Sequence, residues 1–428
     1  MFSNSSISYS RFLFGTELGN TISYINQDYT EKNYSKYFSG VEDFSANIDF
    51  DYFPSPIHLV KFGAGATQHR YSPGVSLTEE DADDRLKDAY AGEYFAYIED
   101  EFSINKALLI NIGFRLAIFN VENTNFIRPQ PRFSLRYKAF EHVSFKTSYS
   151  RMVQHIHLLS SSKLEMPMDL WVPATAEFEP PTSDQLAAGA AINISDGFNI
   201  TVEAFYKNMD NLIEYKEGVS YAGGGVRWED LVEKGIGWSY GTEFLFEKTK
   251  GKTTGWLAYT WSKTERQIEN INFGKPFPYQ YDRRHDLSIV VVHQINKHVD
   301  LSGTWVFNTG SAATVALTKY PLTGVPTYNN SLNNYFVLNY NGRNAYRLPD
   351  YHRLDLGINF RKEKERGTRT WNLSVYNVYS RRNAFMLTWR TNHEDHFIDE
   401  NGRDISSKKL NVLSLFPIIP SISYSFKF

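Results

Sequence analysis

The end of the chain alternates Ile422, Tyr424, Phe426 and Phe428 with Ser421, Ser423, Ser425 and Lys427, an apolar row beside a polar row carried to the last residue. Successive side chains of an extended chain point to opposite faces, so the pattern fits a strand with lipid on one side and water or polar groups on the other. One such stretch constrains little. The same pattern recurs, with Phe133, Leu135 and Tyr137 against Ser134, Arg136 and Lys138, and with Val143, Phe145, Thr147 and Tyr149 against Ser144, Lys146 and Ser148. A series of these segments, joined by connections of regularly unequal length, points to a transmembrane β-barrel wall rather than an enzyme core.

Composition agrees. Aromatic residues make up 16% of the 428 residues, yet mean hydropathy is -0.43. A barrel reconciles the two, because alternate side chains face lipid and water while the loops stay polar. A large secreted β-sandwich or propeller has a similar composition, so composition alone leaves that alternative open. No stretch approaches the roughly 18 apolar residues of a membrane helix; the longest strongly apolar run lies near Ile289 to Val292. Residues Met1 to Ser10 have neither a basic region nor an apolar core and do not read as a signal peptide. The absence of cysteine suits an oxidising compartment entered without disulfides, and equally many cytosolic proteins. A net charge of -3 offers no global attraction for nucleic acid.

Period-2 segments bounded by Gly, Pro, Asn and Asp predict strands near 16–27, 42–53, 57–68, 92–102, 106–119, 131–139, 142–150 and 184–195. The second half adds 197–209, 237–247, 252–263, 284–295, 298–308, 351–362, 369–390 and 417–428. The segment 369–390 is read as one long strand with an irregularity at Asn377, Ser380, Arg381, Arg382 and Asn383. Short connections at Pro54–Pro56, Ser103–Lys106, Phe140–Glu141, Ser195–Gly197, Lys248–Gly251, Ile295–Lys297 and Lys362–Gly367 alternate with long ones. The long ones are 69–91, 151–183, 210–236, 264–283, 309–350 and 391–416. The predicted fold is therefore all-β, an antiparallel transmembrane barrel of about 16 strands, partial, with short periplasmic turns and long extracellular loops.

Motifs for chemistry are sparse. Gly251-Lys252-Thr253-Thr254 looks like the end of a phosphate-binding loop but lacks the earlier glycine, so it reads as a hairpin turn. Gly223, Gly224 and Gly225 read as loop glycines. His393, Glu394, Asp395, His396, Asp399 and Glu400 form an acidic loop or a loose set of metal or ligand contacts. His155 and His157, followed by Met166 and Met168, suggest a loop packed in a barrel mouth, with haem contact as the other reading. Glu79, Glu80, Asp81, Asp83 and Asp84 are balanced by Arg85 and Lys87 as a solvated patch. In 320–346, Tyr328, Tyr335 and Tyr340 with Asn333 and Asn334 can stack on and hydrogen-bond to a bulky polar solute; turns and interface belts use the same residues. No catalytic triad, cysteine pair or paired-carboxylate motif is seen, and no enzyme, cofactor or metal site is expected.

Several stretches carry a family resemblance: Pro131-Arg132-Phe133-Ser134-Leu135-Arg136-Tyr137-Lys138, Asp169-Leu170-Trp171-Val172-Pro173-Ala174 and Asp282-Arg283-Arg284-His285-Asp286-Leu287-Ser288. Tyr351-His352-Arg353-Leu354-Asp355-Leu356-Gly357 and Asn372-Leu373-Ser374-Val375-Tyr376-Asn377-Val378-Tyr379 join them. Together they resemble the β-barrel of TonB-dependent outer-membrane receptors, especially the Bacteroidetes type, and terminal Phe426 and Phe428 are similar to the assembly signal of such barrels. The resemblance implies a place in the outer membrane of a Gram-negative cell, contact with its lipid and barrel assembly machinery, and energy-driven import of a bulky solute. It also implies a plug domain with a coupling box and a 22-stranded barrel. No plug, coupling box or signal peptide is recognised, and about six strands are unaccounted for, so coupling to TonB is expected only through a plug outside this chain. A porin-like passive channel and a nontransporting surface binding protein are the alternatives.

Overall fold

The computed structural model describes residues 1–23, 30–76, 88–160, 169–219, 227–321, 336–398 and 404–428. β1 (Phe2–Ser23), β2 (Thr30–Ser55), β3 (His58–Ser76), β4 (Ala89–Ser103), β5 (Leu108–Val121), β6 (Thr124–Phe140) and β7 (Val143–Val153) begin a wall. A hairpin of β8 (Ile156–Ser160) and β9 (Asp169–Pro173) interrupts it. The wall resumes with β10 (Thr182–Ser195), β11 (Phe198–Tyr215), β12 (Val232–Lys248), β13 (Thr253–Gln267), β14 (Phe277–Pro278), β15 (His285–Asn296) and β16 (Val299–Asn308). In the next connection β17 (Ala312–Ala313) pairs with β20 (Tyr346–Arg347), and β18 (Ala316–Pro321) with β19 (Phe336–Tyr340). β21 (Tyr351–Lys364) and β22 (Gly367–Tyr376) rejoin the wall, β23 (Met386–Ile398) pairs with β24 (Asp404–Leu413), and β25 (Ile419–Lys427) is the last strand.

Seventeen strands share one sheet; β14 has two residues, so the other sixteen make the wall. Each of these pairs antiparallel with the next wall strand along the chain, across every interruption, as β7 does with β10, β16 with β21 and β22 with β25. Among the described residues no pairing joins β1 to β25, which leaves the sheet with two free edges. Short turns gather on one rim, where expected, except the turn at Glu122 between β5 and β6, which lies on the other. Asn105 Oδ1 accepts the N–H groups of Ala107 and Leu108 at 2.8 and 2.9 Å, and Asn296 Oδ1 those of His298 and Val299 at 2.8 and 3.0 Å. These side chains replace backbone acceptors that a tight turn removes. Gly251, at φ 95°, makes the expected hairpin turn rather than a phosphate loop.

The two faces separate as the alternation predicted. Phe44, Ile48 and Tyr52 on β2, Tyr94 and Ile98 on β4, and Val202 and Tyr206 on β11 are exposed on the outer face. With about 3.3 Å per residue and a tilt near 40°, the stretch from Tyr52 to Phe44 rises roughly 20 Å, close to the height of an apolar membrane band. Phe140, Trp256, Phe360, Trp371 and Tyr424 are exposed beside the short turns, as an aromatic girdle requires. The opposite face is polar and close-packed. The Phe95 and Tyr97 rings of β4 lie over Gly65 and Gly63 of β3, where an added Cβ would sit 2.5 and 2.8 Å from them. Near the short turns, Asp300 accepts from Asn359 at 2.7 Å and Asn359 from Asn372 at 2.8 Å, a ladder across three strands.

Three expectations need correction. The first strand was expected at 16–27, but β1 begins at Phe2, because pairing to β2 extends the ladder through a serine-rich stretch of weak alternation. The strand at 131–139 is the lower part of a longer β6, which begins at Thr124 after a tight turn at Glu122 (φ 52°). The segment 369–390 is not one strand. β22 stops at Tyr376, left-handed Asn377 and Ser380 (both φ 52°) turn the chain, and β23 belongs to a separate hairpin.

Candidate functional site at the long-loop mouth

On the long-loop rim the connections fold against the wall. β8 touches β11 while β9 touches β2 and β3, strands far apart in the sheet, so the hairpin reaches both only by crossing the inner side. Leu159, Leu170 and Val172 pack there with Phe178, Ile213, Tyr215, Trp228 and Val232. Ala174 and Ile156 pack with Tyr71, Ala91, Phe119, Val121 and Phe126. Each large apolar side chain removed from water contributes about 1.5–3 kcal/mol, which holds the hairpin in the mouth.

Two buried histidines and several half-buried polar groups sit beside these clusters. Glu93 accepts from His155 Nδ1 at 2.8 Å and from Arg115 at 3.3 Å, and His69 bonds Asp43 at 2.8 Å with its other nitrogen 3.8 Å from Glu93. His155 lies flat on Phe119, with ring centroids 4.7 Å apart. Burial pulls the pKa of His157 down to about 4, and its Nε2–H donates to the Phe178 carbonyl at 3.4 Å. His157 is therefore neutral at pH 7. The expectation of a loop packed in the mouth holds for both histidines; Met166 and Met168 lie outside the described residues.

A second polar set ties the loops together. Buried Glu214, at the top of β11, receives Arg266 and Arg343, each at 2.9 Å. Arg266 lies over the Tyr279 ring at 3.8 Å. Asp282, its side chain fully buried, accepts from the Thr264 N–H at 2.6 Å and from Arg347. Asn272 accepts from the Arg343 N–H at 3.2 Å, and its own N–H donates to Glu217 at 2.8 Å. Beside it the Phe273 ring is 97% exposed. At the far end of the wall, Arg353 donates to Asp355 at 2.9 Å, and to Tyr351 and Tyr376 at 2.9 and 2.8 Å.

Of the solute-contact residues predicted from sequence, Tyr340 stands at the end of β19 opposite Ala316, 45% exposed. Tyr328, Asn333, Asn334 and Tyr335 lie outside the described residues, as do Asp399, Glu400, Gly223 to Gly225 and the acidic patch at 79–84 with Arg85 and Lys87. His393, Glu394, Asp395 and His396 fall on β23, where side chains lie outside the described residues. Phe428 is 97% exposed, and its ring meets Phe426 edge-on at 5.0 Å. Sequence reasoning missed Phe273 and the Glu214 junction. Glu214 and Arg343 are 129 residues apart, beyond any spacing rule, whereas Asp282 was visible within a resemblance motif without its role.

Comparison with known proteins bears on the whole wall. Residues 2–378 match the family model described as "TonB dependent receptor-like, beta-barrel". The search of curated proteins returned no match. Among solved structures, the FrpB iron transporter of Neisseria meningitidis (F5-1 variant) is similar with a TM-score of 0.59 and 12% identity, over 99% of this chain and 61% of that one. The ferric-catecholate import receptor Fiu of E. coli K12 gives 0.58 and 13%, over 99% and 62%. The ferripyoverdine receptor of Pseudomonas aeruginosa gives 0.56 and 14%, over 89% and 50%. The chain thus spans between half and about three-fifths of the length of these proteins, and at such identities the likeness is one of fold. The family consists of outer-membrane transport receptors rather than enzymes. A two-faced meander with short turns on one rim and folded loops on the other, matched over residues 2–378, belongs to the TonB-dependent receptor-like β-barrel family.

Proposed function

We propose that this chain is the barrel wall of a receptor in the outer membrane of a Gram-negative cell, of the Bacteroidetes type, that takes up a bulky solute by TonB-coupled transport. The observation that carries the reading is the family match over a wall whose outer face is apolar and whose long-loop rim holds a built mouth. In this reading Tyr328, Tyr335 and Tyr340 offer stacking faces and Asn333 and Asn334 hydrogen bonds to the solute. Ferric chelates, named for the structural neighbours, are the first solutes to test. Coupling acts through a plug outside these strands. The free edges of β1 and β25 favour a receptor completed by further strands over a closed porin-like channel, since unpaired backbone groups in lipid cost several kcal/mol each. Phe426 and Phe428 present the last strand to the assembly machinery.

The test is uptake of labelled ferric chelates by cells carrying the intact parental gene. Uptake is expected to stop with a protonophore and to fall when 320–346 is deleted. Uptake indifferent to the protonophore would instead establish a passive channel, and surface binding without uptake a binding protein. Full uptake after deletion of 320–346 would remove that loop from recognition.

A further inference from the structure

At the long-loop rim His69 is held between two carboxylates. It stands opposite Asp43 on β2, one residue beyond Phe44, where the apolar band ends. Asp43 Oδ1 lies 2.8 Å from its Nδ1, and Glu93 Oε2 3.8 Å from its Nε2, which is buried with no hydrogen-bond partner. A neutral imidazole carries one N–H and one lone pair. With the proton on Nδ1 the Nε2 lone pair is left beside Glu93, and with the proton on Nε2 the Nδ1 lone pair is pressed against Asp43. Only the imidazolium offers a proton to both. Its pKa accordingly stands above the ordinary 6.5: burial opposes the charge, and the attraction of Glu93 and Asp43 outweighs burial.

The same Glu93 holds the β8–β9 hairpin. Its Oε2 takes the Nδ1–H of His155, the residue before β8, at 2.8 Å, while Oε1 takes Arg115 at 3.3 Å. The His155 carbonyl receives the Ala174 N–H at 3.0 Å, which closes the base of the hairpin. Ile156 and Ala174 cover Tyr71, Ala91 and Phe119 beside the cluster, and the side chains of His69 and Glu93 are only 12% and 21% exposed. Within this cluster the charges balance only with a proton on His69. Asp43 and Glu93 carry two negative charges against the one positive charge of Arg115. The neighbouring groups do not supply another. Arg132 is out in water, Arg128 is paired with Glu179, and Arg70 with Asp88 and Glu42, which also takes Arg11. Burial keeps Tyr71 protonated and His157 neutral. Water stabilises a spare negative charge at an open rim, but a docked hairpin excludes that water.

We propose that the β8–β9 hairpin is a proton-linked latch, bound in the mouth while His69 is an imidazolium and released as His69 loses its proton. Docking is then firm near pH 6.5 and weakens as pH rises through the raised pKa of His69. His157, with its pKa of about 4, acts on the acid side of 6.5 and in the opposite sense, so the two histidines bound a window of closure. Release widens the mouth that the hairpin crosses, whichever solute is taken up.

The test is hydrogen exchange of 156–160 and 169–173 in the intact parental protein in detergent, between about pH 6.5 and about pH 8.5, each rate divided by the chemical exchange rate at that pH. Protection of both segments is expected to fall about three- to ten-fold over that interval, as proton linkage at a single site gives. Protection of β12 should stay constant, which separates release of the hairpin from loosening of the wall. His69→Gln cannot charge and is expected to abolish the dependence. Glu93→Gln balances the cluster without a proton and is expected to keep the hairpin docked across the whole interval. A parental profile that is flat, or in which protection rises with pH, would overturn the proposal whether or not the variants fold. So would a pH dependence retained in His69→Gln.

Discussion

Asn377 shows how much one side chain can carry at the end of a wall strand. It is fully buried and left-handed, donates to the carbonyls of Arg381 and Phe416 at 3.0 Å each, and accepts the Arg381 N–H at 2.9 Å. Its backbone N–H reaches Asp355 at 2.9 Å, so strand end, turn and the chain before β25 meet at one residue. Asn377→Ala removes three side-chain bonds and strands their partners, for an expected loss of about 2–4 kcal/mol. The midpoint of heat-modifiability on a gel should fall; an unchanged midpoint would show that these bonds contribute nothing net. His157 gives a pH dependence of defined sign. Its folded pKa, about 4, lies below the unfolded value of 6.5, so the stability it lends is full above pH 6.5 and is lost as pH falls toward 4. The loss amounts to roughly 3 kcal/mol across that window. Proteolysis between β8 and β9 should accelerate over the same interval and do so less in His157→Gln.

At the level of elements, short turns and face alternation were legible because each is written within about ten residues. What lay between strands was not. The hairpin β8–β9 sits inside a stretch expected as a plain loop, and β23–β24 begins within the expected strand 369–390 and runs on into the expected loop after it. Pro129 and Pro131 stand inside β6, and β7 pairs with β6 only up to Arg132. Above that point β6 has a partner on one side alone, where a missing N–H is tolerated. The aromatic and amide run at 320–346 was visible from sequence, while the polar junctions of the mouth were not. The Glu214 junction makes a sharp prediction: Glu214→Ala leaves Arg266 and Arg343 mostly buried without their shared carboxylate and should cost about 3–5 kcal/mol. Hydrogen exchange should quicken in both 266–276 and 341–347. Quickening in only one segment would mean that Glu214 does not join them.

For the whole molecule, the free edges dominate. β1 and β25 each pair on one side only, so the isolated chain is expected to insert poorly and to associate through its edges. Light scattering in detergent should show polydisperse oligomers; a monodisperse, heat-modifiable monomer would show that the sheet closes. Removal of Phe428 should reduce assembly of the parent protein more than a Lys427→Ser change, as membrane fractionation can measure, and equal effects would count against a terminal signal. The order of the wall strands has one more consequence. Each pairs only with its nearest wall neighbours along the chain, so a cut at any short turn severs one covalent link and no ladder. The wall is then divisible at the turn between Ser195 and Phe198 into two separately synthesised pieces that retain every strand-to-strand interface needed to find each other, a natural basis for split-protein reporters of membrane assembly.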